Sequence, residues 1–395
     1  MLVVQSPLRA DATLPQRVAK SDIPFMESES EIVSGAFPGL LLTPKALPNY
    51  RDAKYLQSYH AAVHVYVEAP RDDKLGETSY ERRFVVCCQD RQGLPFAKKT
   101  ARALLLLCNE RKAHFRTDHP ANQPVVNVWI TGTKAPGVSA DVGGEQFENQ
   151  IYLHNVETDR SPVEWMREIA HEYGHYSLPG ISGFETPEEW GNGVLGERLY
   201  LKWILESIAN GRLNDENLGL GTREGLSGFV SEQVTPLMNE ILRDGIDFKK
   251  LGSSNPASMN YYTGLALYID SLYGSKTLFD IMAATHSKSR IALPRASDFL
   301  NAFTNSMKEE PESSLTLPLQ SASPAETTIM LYFPAGDWNL SPSGSLTSWR
   351  GAPGVSLAQA HGKLGMTIRK AGWYRIYARQ KTGSALPARL KIRKA

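Results

Sequence analysis

The stretch SPVEWMREIAHEYGH, residues 161–175, constrains this chain more than any other. Ser161 suits a helix N-cap, Pro162 suits the first helical position, and Glu164, three residues after Ser161, completes a capping box. On the helix that follows, His171 and His175 project from one face about one turn apart, so both imidazoles reach a single ion. Glu172 lies about 100° further round at 3.6 residues per turn, beside such an ion yet free to act on a water. H-E-x-x-H on a helix is a zinc pattern in which two histidines hold the metal and the glutamate serves as general base. The chain has only nine histidines, and a well-capped helix under two of them argues against accident.

A catalytic tetrahedral zinc takes a third protein ligand and keeps one position open. The extended H-E-x-x-H-x-x-G-x-x-H pattern does not continue here, because Leu178 stands where its glycine belongs and no histidine follows. The third ligand is therefore expected from a separate element. Glu185, Glu188 and Glu189 fall in the Gly- and Pro-bearing loop PGISGFETPEEW, whereas Glu197 opens the helical stretch GERLYLKWILESI, with Glu206 further along it. Ligands are held best on rigid elements, which favours Glu197, with Glu189 as the substitute.

Around this motif the pattern of elements predicts an α+β fold. Alternating strands are expected at 60–68 and 82–88, a helix from Phe96 to His114, and strands at PVVNVWI and NQIYLHN. Helical periodicity then takes over, near 162–175, 195–210, 226–243, 259–273, 276–284 and 295–304. This segregation predicts a sheet-bearing lobe to about residue 155 and a helical lobe after it, together spanning 55–318, behind an irregular segment 1–54. The polar stretch KEEPESSLTLPLQSASPAE separates a last region, in which TIMLYF, KLGMTI, GWYRIYARQ and ARLKIR alternate at period two. A small all-β sandwich is expected over 319–395.

Residues 82–305 resemble the gluzincin metallopeptidases, the thermolysin-like clan (peptidase MA) that includes the aminopeptidase-N family. The resemblance rests on a sheet, a helix bearing H-E-x-x-H, and a glutamate on the next helix, with His171, His175 and Glu197 as the matching positions. It implies a thermolysin-like zincin domain, one zinc ion per chain, and peptide or protein substrates. The segment MNYYTGLALYIDSLYG is similar to a helix in aminopeptidase-like members that begins Tyr-x-x-Gly and carries a transition-state tyrosine; Tyr261, three before Gly264, takes that position, Tyr262 is its rival, and His154 and His286 are the substitute donors to the oxyanion. GGEQFENQIYLHN resembles their Gly-x-Met-Glu-Asn segment through Glu148, without the methionine and with two residues inserted. Trp190 lies seven residues before Glu197 and Arg198 follows it, whereas aminopeptidases place a Trp three before and a Gly after. The clan thus fits better than that family.

The charge is split along the chain. No acidic residue follows Asp337, while eleven Lys and Arg do, leaving 32 basic against 42 acidic residues up to and including it. Such a basic region suits an anionic polysaccharide or surface, or contact with the acidic remainder; nucleic acid is unlikely, because no recognised binding motif accompanies the charge. A non-catalytic protein of the same fold that binds such a polymer is the alternative reading, and Glu172 beside two ligands speaks for the enzyme. The adjacent Cys87 and Cys88 with Cys108 form neither a disulfide framework nor a CxxC site, and are expected to be buried. No apolar run is long enough to span a bilayer, which predicts a soluble chain. The N-terminus lacks the basic and long apolar regions of a signal peptide, which leaves secretion open.

Overall fold

The computed structural model describes residues 25–28, 59, 61–68, 80–116, 125–132, 143–185, 187–252, 256–288, 294–309, 313–316, 326–343, 346–351, 356–360, 363–380 and 389–395. Most of the expected irregular segment 1–54 lies outside these residues. The fold is mixed α+β with several sheets, and the chain divides into two compact units. One is Met1–Leu178 with Leu199–Gly228; the other is Pro179–Arg198 with Phe229–Ala395.

The first unit is built on a six-stranded sheet of order β1-β2-β3-β4-β6-β5. Its strands are β1 (Phe25–Ser28), β2 (Ala61–Glu68), β3 (Tyr80–Cys88), β4 (Val126–Ile130), β5 (Gly143–Phe147) and β6 (Gln150–His154). β3, β4 and β6 run parallel, while β5 returns antiparallel to β6 and forms the edge. The central strands are near-continuous apolar runs, Phe84 to Cys88 and Val128 to Ile130, as expected where both faces are covered. One side holds a cluster of Tyr59, Ala62, Val85, Cys87, Trp129 and Tyr152. Helix α1 (Leu94–Phe115) packs on β2 and β3, burying Ala97, Ala101, Leu104, Leu107 and Cys108. All three cysteines are buried. Burial pushes the Cys108 thiol up to about 11 and the Cys88 thiol to about 12, so neither supplies a thiolate near neutral pH.

Helix α2 (Pro162–Ser177) also belongs to this unit, as does the second part of α3 (Gly191–Ala209). Tyr173 of α2 is fully buried against Phe84 and Tyr200. Ser177 Oγ donates to the Tyr173 carbonyl at 2.6 Å and lies 2.7 Å from the Tyr200 hydroxyl. The motif helix is thereby locked to the sheet on one side and to α3 at its C-terminal end.

The second unit contains α4 (Arg223–Phe229) only at its last residue, then α5 (Thr235–Asp244), α6 (Pro256–Tyr273), α7 (Ser275–Lys288) and α8 (Ala296–Glu309). Gly264 lets α6 approach α5 closely, since a Cβ there would sit 2.6 Å from the Leu237 carbonyl oxygen. Two antiparallel sheets follow: a three-stranded one of order β10-β13-β8 and a five-stranded one of order β11-β12-β9-β14-β7. The first comprises β8 (Glu326–Phe333), β10 (Leu346–Gly351) and β13 (Gly372–Gln380). The second comprises β7 (Ser313–Thr316), β9 (Gly336–Ser343), β11 (Ser356–Ala360), β12 (Lys363–Ile368) and β14 (Arg389–Lys394). Strand β7 precedes residue 319 and pairs with β14, so part of the stretch read from sequence as a polar separator is a strand of the sheet. On the edge of β8, Met330 is held by α6: the Tyr268 hydroxyl accepts from Met330 N at 3.0 Å, and the Tyr273 hydroxyl donates to the Met330 carbonyl at 2.8 Å.

Candidate metal centre

The capping box expected at residue 161 is present. Ser161 Oγ accepts from Glu164 N at 3.4 Å, and the Glu164 carboxylate accepts from the Ser161 backbone N–H at 2.8 Å. The Ser161 hydroxyl also donates to that carboxylate at 2.7 Å, and these bonds hold the Glu164 carboxyl below the usual range. The cap fixes where the helix begins, and His171 and His175 lie within its last two turns.

On that face His171 and His175 are half-buried, with rings 4.9 Å apart at 74° and Nε2 atoms 3.2 Å apart. Two ligands each 2.0–2.1 Å from one tetrahedral ion stand about 3.3 Å apart. The separation of the two nitrogens thus matches one edge of a zinc coordination tetrahedron. Among the described residues, His171, His175 and Glu188 each offer one ligand atom, all within 4.8 Å of one another. The carboxylate in this set is Glu188 of the loop before α3, which sequence reasoning passed over for Glu197. Glu197 is buried on α3 and accepts from Arg198 Nη1 at 3.0 Å. Glu189 and Glu185 are exposed.

Glu172 is 4 % exposed, and its side chain lies under the edge strand β5. A Cβ on Gly144 would stand 2.7 Å from Glu172 Cγ and 3.0 Å from Glu172 Oε1, so the strand approaches this closely only because residue 144 is glycine. Glu168, one turn earlier on the same helix face, fixes the approach: its Oε1 accepts from Gly144 N at 2.5 Å and its Oε2 from Arg160 Nη2 at 2.8 Å. Sequence reading assigned Glu168 no role; its i, i+4 relation to Glu172 was the available signal.

The other residues singled out from sequence fall elsewhere. Tyr261 is buried on α6, where its hydroxyl accepts from Asp247 N at 2.5 Å, lies 3.5 Å from the Gly245 carbonyl, and has Lys250 Nζ over its ring. Burial raises its pKa. Tyr262 is fully buried between Phe184 and Phe299, and its hydroxyl has no hydrogen-bond partner among the described residues. Burial raises its pKa far above the ordinary value. Glu148 is exposed at the β5–β6 turn with φ of 52°, His154 is buried at the end of β6 with Nε2 3.9 Å from Glu145, and His286 Nε2 lies 2.9 Å from the Gly180 carbonyl.

No family model matches the chain, and no curated protein does. Among solved structures, the chain is similar to Legionella pneumophila aminopeptidase A, determined in complex with aspartic acid, with a TM-score of 0.34 and 11 % identity. The match covers 83 % of this chain and 37 % of that one. At that level of likeness neither fold nor activity transfers, so the site is read from its own residues.

Proposed function

We propose that the protein is a zinc-dependent peptidase of gluzincin type, with a thermolysin-like catalytic region. The observation that carries this reading is the pair of histidine nitrogens 3.2 Å apart on a capped helix, with a buried glutamate between them in sequence. His171, His175 and Glu188 would hold one zinc ion per chain. A second reading of the third ligand, Glu197, is favoured by its burial on a rigid helix.

When bound, zinc lowers the pKa of a coordinated water and polarises a scissile carbonyl. Glu172 accepts the proton of the attacking water and returns it to the leaving amine. Its burial and the close cover of Gly144 restrict the positions open to this side chain. Glu168 keeps β5 in place over it and is a positioning residue. For the donor to the developing oxyanion the resemblance offers Tyr261 and Tyr262; the Tyr261 hydroxyl is engaged by the 245–247 backbone, and the Tyr262 hydroxyl has no partner among the described residues.

The test is hydrolysis of a mixed library of peptides with free and blocked N-termini, by wild type and by Glu172→Gln, with metal content measured on both. The variant is expected to keep its zinc and lose nearly all turnover. Equal turnover by the variant would overturn the assignment of the base, and no turnover by the zinc-loaded wild type would favour the non-catalytic, polymer-binding alternative.

A further inference from the structure

The five-stranded sheet has a buried inner face formed by Leu315, Trp338, Leu340, Met366, Ile368, Leu390 and Ile392. Strict alternation along β14 sends Arg389, Lys391 and Arg393 to the opposite, exposed face. At about 3.3 Å per residue, these three cations stand in a straight row roughly 6.6 Å apart. Their cross-strand partners are all uncharged: Ser343 and Thr316 beside Arg389, Ser341 and Ser314 beside Lys391, Asn339 beside Arg393. In all five strands the one acidic residue is Asp337, and its carboxylate accepts from the Thr367 hydroxyl at 2.7 Å.

Protection of a sheet edge does not account for this row. Edge strands use lysine to block pairing with other chains, but β14 is flanked on both sides, by β9 and β7. Three like charges aligned on an interior strand, with Asp337 on β9 the one carboxylate of the sheet and already bonded to Thr367, repel one another, and an anionic ligand relieves that repulsion.

We propose that this face of the sheet binds an anionic polysaccharide. The cations take carboxylate or sulfate groups along the strand, and the hydroxyl and amide residues on β9 meet the sugar hydroxyls. Polysaccharide is favoured over single-stranded nucleic acid because the described residues place no exposed aromatic ring on this face for base stacking. It is favoured over a bilayer because the described residues place no exposed apolar side chain on this face to insert at the interface.

The experiment uses the full chain and heparin as the probe, with a DNA duplex and phosphatidylserine vesicles in parallel. R389Q/K391Q/R393Q is compared with R369Q/K370Q/R375Q, which removes three exposed cations of the same region that lie off this row. The first variant is expected to lose about tenfold or more in heparin affinity near physiological salt, and the slope of log K against log salt to shrink by about 2 to 3. The second is expected to keep most of its affinity. K391Q alone, a single exposed replacement, should reduce the slope by about one. Small-peptide hydrolysis should not change in any of them, so this inference stands or falls apart from the peptidase reading. Absence of heparin binding by wild type, equal losses in the two triple variants, or equal or tighter binding of the duplex or the vesicles would overturn it.

Discussion

Replacing Gly144 with alanine tests the closest approach in the site. The new Cβ would meet Glu172 Cγ at 2.7 Å and the Oε1 atoms of Glu172 and Glu168 at 3.0 and 3.1 Å, whereas ordinary contact begins at 3.4 Å. Neither side yields easily. The helix is held by the buried Tyr173 and by the Ser177–Tyr200 hydrogen bond, and the strand by Glu168. Overpacking of this kind costs about 1–3 kcal/mol, and pushing Glu172 off its rotamer costs about 0.5–1.5 kcal/mol within that figure. Urea unfolding should therefore show Gly144→Ala destabilised by about 1–3 kcal/mol. A shift of about 1 Å in the base should lower peptide turnover by roughly a hundredfold, beyond what the lost stability explains. Gly228→Ala is the control: beyond its chain neighbours and its own helix backbone no atom lies within 4 Å of its added Cβ, and a helical Gly→Ala change there should stabilise by about 0.5–1 kcal/mol. If Gly144→Ala unfolds and turns over like wild type, the strand does not lie against Glu172 and the account of the buried base is wrong.

Ser161→Ala removes the helix cap and should cost about 1 kcal/mol at pH 7 by denaturant titration. Because Ser161 holds the folded Glu164 carboxyl below its usual pKa, that stabilisation is present above the ordinary glutamate range and disappears as pH falls through the lowered value. The gap between wild type and variant should therefore narrow as pH falls below the ordinary glutamate range. Tyr268→Phe leaves the Met330 N–H on the β8 edge without its acceptor and should cost about 1–3 kcal/mol in urea unfolding, with metal content unchanged. Tyr262→Phe should lower kcat by two to three orders of magnitude at constant zinc content, about 3–4 kcal/mol in the barrier, whereas Tyr261→Phe should act mainly on stability through the 245–247 loop. The opposite ranking of kcat would restore Tyr261 as the donor.

How far the sequence was readable depended on whether the signal was local. The motif helix was legible because its start is written in adjacent residues, Ser161, Pro162 and Glu164, and its chemistry in a fixed i, i+4 spacing. Strand β5 was not: GGEQF has no β-branched residue, and it is extended because β6 pairs with it and Glu168 binds Gly144 N. Helix α3 begins at Gly191, four residues before the expected start, since GNG reads as a turn; Gly191 is instead selected by the Phe184 and Tyr262 rings against its Cα. Strand β7 was hidden in a Pro- and Ser-rich run, where Leu315 is its only apolar residue and pairing with β14 defines it. Glu188 ranks behind Glu197 in the sequence because a helix is the more rigid element, and its place near the two histidines depends on the course of the loop before α3.

The central claim, a zinc ion held by the motif helix, is tested most directly by the metal content of the full chain after dialysis against zinc and then buffer. Wild type is predicted to retain one zinc per chain, His171→Ala none, and Glu188→Gln a fraction set by 10- to 100-fold or greater weakening, with Glu197→Gln near one if its carboxylate is not a ligand. Loss of zinc in Glu197→Gln with retention in Glu188→Gln would move the third ligand to α3 and leave the claim standing. A wild-type chain that retains no zinc, or a His171→Ala chain that retains a full equivalent, would contradict it.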